Sequence, residues 1–369
     1  MKNFKWLRCV AFVLLLTISL VGVMQCYSLP TSYDTRNLAS LDAQENNTLD
    51  GIIIGTSVVS YAFLTPVAWR DYGMALFHMG ASEQPFGVVT DYLDYILEKQ
   101  DLKYVVVDIH GLRTSTIFSS IRDAKVKSTY LNFPDLLMKF KILRSTLDYA
   151  QDAYDFYGKP EDESKNYVDV DDNMYYFPFY AFHGRWVEGL KKADFVTVES
   201  KYLGAHDRNE YTFGVRDCTQ YLDTWDYDDP GKIDAFQQKY LDELFAYGKE
   251  KNIEFLFISL PSFRSLEEQM ELSALIDYCA ENGYNTIDFS DDGMLEKANI
   301  DITKDFCNDG HLNSRGGIKG TQYICDYLIE NGYYTPDHRG EETYSDWDEA
   351  TEKYFKYYEK GWKEKESDK

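Results

Sequence analysis

Two residues far apart in the chain have the types and settings that acyl-transfer chemistry needs. The first is Ser57, in Gly51-Ile-Ile-Ile-Gly-Thr-Ser57, followed by Val-Val-Ser-Tyr-Ala-Phe63. Three successive isoleucines read as a short strand buried on both faces. Gly55 ends that strand, and helix-like sequence follows Ser57. A serine at such a turn stands above the carboxyl edge of a sheet, where open α/β folds place their sites. Its hydroxyl can act as a nucleophile, and the amides around it can hold an oxyanion. A capping serine in an ordinary turn has the same local pattern, so the reading needs a partner. That partner is His311, in Asn308-Asp-Gly-His-Leu-Asn313, ahead of a helix-like run over 317–328. It could take the serine proton during attack and return it to the leaving group.

The other histidines are weaker candidates. His78 lies within an apolar strand, and His206 and His338 lie in polar surroundings without a motif. His110 is at a suitable strand end but lacks a hydrolase-like context. Two residues compete to orient His311: Asn308, three positions before it, and Asp309, two before it. An asparagine can orient an imidazole but stabilises the imidazolium less than a carboxylate does. Both assignments stay open.

The elements that must position these residues follow a βα rhythm. Strands are expected at 51–55, 75–79, 104–108, 255–259 and 286–289. Helices are expected at 63–72, with Pro66 in the first turn, and at 87–100, 233–250, 266–281 and 317–328. A β-α-β-α-β order implies parallel strands with right-handed crossovers. The expected fold is α/β: a three-layer α/β/α sandwich on a mostly parallel central sheet, over residues 50–335. Residues 112–230 form an irregular insertion with helical segments near 133–150 and an acidic loop at 161–172. Asp169, Asp171 and Asn173 mimic the start of a calcium loop. The glycine and glutamate it requires are missing, so this stretch reads as a solvated loop. Residues 336–369 are a charged, aromatic extension, read as a peripheral helix with a frayed end.

At the other end, Lys2, Lys5 and Arg8 precede an uncharged run over 9–24. With its flanks, the run over 6–27 approaches the ~20 residues that a membrane span needs. No small-x-small cleavage site follows, which favours an uncleaved signal anchor over 1–28 to a cleaved signal peptide. Residues 29–49 read as a tether containing a first strand or turn. The basic flank stays inside, so the bulk of the chain would be extracytoplasmic, held at the cell membrane by a single pass.

Composition narrows the function classes. Acidic residues outnumber basic ones 62 to 38, a net charge of −24 that argues against nucleic-acid binding. Thirty-one tyrosines could line a carbohydrate groove or fill a half-wet core. The six cysteines show no C-x-x-C spacing, and no metal-ligand cluster appears, which disfavours a metal-dependent phosphoesterase. One disulfide among Cys218, Cys279, Cys307 and Cys325 is open.

The Ser57 and His311 blocks together resemble the GDSL/SGNH hydrolase superfamily, with its serine in the first block and an Asp-x-x-His pair in the last. The closer resemblance is to a membrane-anchored extracytoplasmic bacterial branch that includes relatives of the D-alanine-transfer protein of teichoic-acid synthesis. The alginate-acetylation SGNH proteins are similar at the level of the fold. Gly80-Ala-Ser-Glu-Gln-Pro85 matches the second block, which implies that Gly80 and Gln84 join Ser57 in an oxyanion hole. Asp108-Ile-His-Gly111 stands where the superfamily often has Gly-x-Asn-Asp, and implies a substrate-binding role for Asp108 and His110. Phe182-His-Gly-Arg-Trp186 is similar to segments of the same branch. There Arg185 could pair with a carboxylate or phosphate and Trp186 could stack on a sugar, or Arg185 could form a buried Arg–Asp pair with Trp186 in the core. The resemblance implies a cofactor-free esterase or O-acyltransferase working through an acyl-serine on cell-envelope polysaccharide or teichoic acid. A membrane-bound O-acyltransferase is the implied partner. A non-catalytic accessory or glycan-binding protein is the alternative.

Overall fold

The computed structural model describes residues 3–27, 32–162, 165–172, 175, 198–225, 229–291 and 293–367. The chain is α/β, built on a five-stranded sheet in which every neighbouring pair is parallel. The strands are β1 (Gly51–Gly55), β2 (Leu76–Gly80), β3 (Tyr104–Asp108), β4 (Glu254–Ser259) and β5 (Asn285–Asp288), in the order β2-β1-β3-β4-β5. Side chains alternate between faces along a strand. Ile52 and Ile54 join Phe77, Val105, Val107 and Phe257 in one apolar cluster, while Ile53 joins Leu76, Val106, Leu256 and Ile258 in another. This is why β1 is apolar at successive positions: a central parallel strand has no wet face. The order reverses between β1 and β3, and the carboxyl ends of strands at such a reversal frame the crevice where open sheets place their sites.

A second, two-stranded antiparallel sheet lies late in the chain: β6 (Phe306–Asn308) and β7 (His311–Leu312). Its register sets Asn308 opposite His311. The helix Ser314–Glu330 follows at once, capped by the Asn313 side chain, which accepts from the Arg315 and Gly316 N–H groups at 2.9 and 3.2 Å. The same amide donates to the Gly214 and Lys304 carbonyls, fastening the loop to the body.

The clearest departure from the sequence reading lies in the stretch before β1. The stretch read as a tether holds a helix, Tyr33–Asp42, started by a Ser32 cap and burying Leu38 and Leu41. The helix-like sequence after Ser57 forms a short helix, Ser57–Ala62, and the helix expected over 63–72 is a separate one, Thr65–Tyr72. Pro66 at the start of the second cannot continue the first, because it lacks an N–H. The freed Leu64 N–H donates to the Thr321 hydroxyl at 2.8 Å. The C-terminal helix Ser345–Ser367 buries Trp347, Tyr354 and Trp362. Trp69 donates to Asp348 and Trp362 to Ser314, so this helix braces both Thr65–Tyr72 and Ser314–Glu330. At the other end, the helix Asn3–Tyr27 contains a run, Phe4–Val23, long and apolar enough to cross a membrane.

One close approach joins the first and last blocks of the chain. A side-chain carbon at Gly317 would lie 2.6 Å from the Tyr61 carbonyl, and one at Gly320 would lie 2.8 Å from the Ala62 carbonyl. Only glycine lets the helix Ser314–Glu330 settle on the end of Ser57–Ala62, and that contact sets how far His311 stands from Ser57. In an exposed helix Gly→Ala adds about 1 kcal/mol of stability. Here Gly317→Ala is expected to cost about 1–3 kcal/mol through overpacking. Urea unfolding measures this, and a variant as stable as the parent would contradict the contact.

Candidate active site

Thr56 and Ser57 leave the carboxyl end of β1, and Thr56 is the extended N-cap residue of Ser57–Ala62. Thr56 makes no side-chain cap bond to the helix. Its hydroxyl and its N–H both donate to the Asp108 Oδ2, at 3.0 and 3.2 Å. Asp108 reaches across Gly55 to do this: a side-chain carbon at Gly55 would stand 2.8 Å from that oxygen. The turn is therefore held from β3, and Ser57 is left half-buried with its hydroxyl free to face the crevice.

The Ser57 Oγ lies 2.9 Å from the His311 Nε2. On the other side of the ring, Nδ1 lies 3.1 Å from the Asn308 Oδ1. That oxygen also accepts from the Gly310 N–H at 2.9 Å, which fixes the amide orientation. The His311 Nδ1 is accordingly the protonated nitrogen, and Nε2 keeps the lone pair that accepts from Ser57. Asn308 is the orienting residue. The Asp309 carboxylate turns instead toward the Tyr221 hydroxyl at 3.4 Å, and its backbone carbonyl accepts from the Phe263 N–H at 2.6 Å. Burial pushes the His311 pKa down from 6.5 to about 4, with the Arg264 charge adding to the effect and Asp309 opposing it. The imidazole is neutral at neutral pH, as a general base must be.

An aromatic column backs His311. Tyr61 stands 4.4 Å from it between ring centroids, His206 stacks on Tyr61 at 4.2 Å, and Tyr33 stacks on His206 at 3.8 Å. Tyr211 approaches His311 edge-on at 6.4 Å. Burial holds His206 well below its ordinary pKa, so the column is uncharged. The Tyr33 hydroxyl donates to the Gly204 carbonyl and accepts from His78, whose other nitrogen accepts from Thr65. His78 is a fully partnered core residue.

The substrate-binding expectation for Asp108 and His110 is corrected by their burial. They are 1% and 0% exposed, and all their capacity is used inside the protein. The Asp108 Oδ1 accepts from the His110 Nδ1 at 2.6 Å, and the His110 Nε2 accepts from the Ser262 hydroxyl at 2.9 Å. Burial outweighs the Asp108 charge and keeps His110 neutral. This Ser262–His110–Asp108 chain has the atoms of a catalytic triad, but Ser262 is only 2% exposed. It links the exits of β3 and β4 to the Ser57 turn.

Gly80 ends β2 in register with Gly55 and packs against Ser60 and the Thr56 carbonyl, behind the Ser57 turn. Gln84 is buried, and neither atom of its amide has a hydrogen-bond partner. Ser82 accepts from Lys125 at 2.7 Å. Arg185 and Trp186 lie outside the described residues. Cys9, Cys218, Cys279, Cys307 and Cys325 carry no disulfide. Sequence reasoning passed over Ser262, Tyr211 and Arg264, and set aside His206, which is in fact buried. None sits in a motif, although Ser262 and Arg264 follow the β4 strand end, and that position is itself a signal. No protein-family model, curated protein or solved structure matches the chain.

The low His311 pKa predicts that kcat/KM for an aryl acetate rises through an acid limb near pH 4, below the ordinary histidine range. Asn308→Asp puts a negative charge beside Nδ1, favouring the imidazolium, and should move that limb up by about 1–3 units and raise the plateau rate. Asp309→Asn should leave the plateau within about twofold, since a side chain beyond hydrogen-bond reach of the ring orients nothing. The pH–rate profiles of both variants check this. A rate loss on Asp309→Asn would transfer the orienting role to Asp309.

Proposed function

We propose that this chain is an SGNH-type serine esterase or O-acyltransferase, with the three-layer α/β/α arrangement of that superfamily. The reading rests on one observation above the others, the 2.9 Å approach of the Ser57 Oγ to an imidazole whose other nitrogen is occupied by Asn308. The strand order and the apolar clusters on both sheet faces support the fold.

Ser57 attacks the acyl carbon of an ester while its proton passes to the His311 Nε2. The carbonyl oxygen takes the negative charge, met by the Ser57 N–H at the helix start, which has no helical partner. The ester C–O bond breaks, His311 returns the proton to the departing alcohol oxygen, and the acyl group stays on Ser57. Water or a sugar or polyol hydroxyl then attacks the acyl-serine, losing its proton to His311, which gives it to the Ser57 oxygen. Water completes an esterase cycle and a hydroxyl completes an acyl transfer.

The Phe4–Val23 run anchors the domain in the cell membrane, with Lys2, Lys5 and Arg8 inside and the site outside. That setting favours cell-envelope polysaccharide or teichoic acid as substrate and a membrane-bound O-acyltransferase as partner. An amide in place of the usual carboxylate at Asn308 favours a second reading, a non-catalytic glycan-binding or accessory protein of an envelope acylation system.

The full chain in detergent is expected to hydrolyse an aryl acetate. Ser57→Ala and His311→Ala should each lower kcat by at least about 10³-fold, because triad members act as a unit. Residual rates within tenfold of the parent would remove the pair from the chemistry. Absence of turnover in the parent, joined to measurable glycan binding, would establish the accessory reading.

A further inference from the structure

Arg264 is a half-buried arginine at this site with no carboxylate in direct contact among the described residues. Its side chain makes no hydrogen bond or ion pair among the described residues, and its Nε is buried without a partner. Acids are plentiful in the chain, 62 against 38 basic residues, so the missing partner is not a matter of composition. Glu268, Asp309, Asp108 and Glu83 lie near enough to act on Arg264 through their charge, but each makes its direct contacts with another group, Glu83 with Lys125 at 3.1 Å. Glu268 is held by Arg113 at 2.8 Å, Asp108 by Thr56 and His110, and Asp309 by Tyr221. Burying a guanidinium without a partner is unfavourable, and such a group is suited to receiving an anion from outside.

Its placement says which part of a substrate it faces. The two terminal nitrogens of Arg264 lie 3.3 and 3.4 Å from where a side chain at Gly310 would begin, and Gly310 adjoins His311. The absence of a side chain at Gly310 lets the guanidinium lie along the histidine loop. In the reaction proposed above, His311 hands its proton to the alcohol oxygen. The flank of His311 therefore faces the alcohol half of the ester, whereas the Ser57 N–H faces the acyl half.

We propose that Arg264 is a specificity residue that binds an anionic group, phosphate or carboxylate, carried by the alcohol half of the substrate. The assignment rests on the serine-esterase reading for its orientation and, for its charge, on a guanidinium that no carboxylate touches among the described residues. A planar fork of donors matches both oxyanions bidentately, so arginine should be better than lysine here.

Two measurements on the full-length protein test this. The first compares kcat/KM for 1-acetylglycerol 3-phosphate and for monoacetin, an uncharged ester of the same alcohol skeleton. The parent is expected to prefer the phosphate ester by about tenfold or more, with the ratio falling to about one in Arg264→Met and lying between in Arg264→Lys. The second measures calorimetric binding of glycerol 3-phosphate and of glycerate, which separates a phosphate from a carboxylate site. At least one is expected to bind the parent more tightly than glycerol and to lose about tenfold in affinity in Arg264→Met. Circular dichroism reports whether each variant folds, and Arg264→Lys carries the test if Arg264→Met does not. Hydrolysis of monoacetin with no anion preference, or anion binding equal in parent and variants, overturns the subsite and leaves the serine reading standing. Anion binding through Arg264 without hydrolysis of any ester keeps the subsite and removes the serine reading.

Discussion

A buried carboxylate, Asp108, is the constraint on which the rest of the site depends. One oxygen takes both polar hydrogens of Thr56 and the other takes the His110 N–H. His110 extends the chain to Ser262, so a single side chain on β3 ties together the exits of β1, β3 and β4. Each donor left unpaired in such a place would cost about 1–3 kcal/mol, so the network is held as a unit. Gly55 is glycine because the carboxylate crosses it. Thr56 is held by Asp108 and not by its own helix, which leaves Ser57 as the hydroxyl at the turn that faces outward.

The second half of the site is brought in by packing. The helix Ser314–Glu330 rests on backbone carbonyls of Ser57–Ala62 through Gly317 and Gly320, and β7 lies just before it. Antiparallel register, with a two-residue turn between Asn308 and His311, fixes the amide against the imidazole. An amide contributes no charge, while Arg264 contributes a positive one, and both leave His311 a weaker base than a carboxylate-backed histidine. The same local field that weakens the base would attract an anionic alcohol, which is how the specificity assigned to Arg264 and the low imidazole pKa belong to one arrangement.

The sheet was legible because its strands are apolar runs ended by glycine or by polar residues: Ile52 to Ile54 and Val105 to Val107 admit few other readings. Ser57 and His311 were legible because each follows such an end or a compact polar turn. The choice between Asn308 and Asp309 was not, since both lie within reach of the ring in sequence and only the register of β6 on β7 separates them. The substrate role expected of Asp108 and His110 failed for a related reason. A polar pair at a strand end looks the same whether it faces the crevice or is sealed by a loop more than a hundred residues later, and here Ser262 seals it. The helix Tyr33–Asp42 was hidden by its polar composition, and Arg264 by its lack of any motif.

The central claim is that Ser57, and not the buried Ser262, is the nucleophile activated by histidine. Labelling the full-length protein with a fluorophosphonate and locating the adduct by peptide mass spectrometry tests it most directly. The probe forms a phosphonyl–serine bond with loss of fluoride at an activated serine. The expected result is one adduct on the peptide containing Ser57, absent in Ser57→Ala and formed far more slowly in His311→Ala. An adduct on Ser262, or one on Ser57 that forms at the parent rate without His311, would contradict the account.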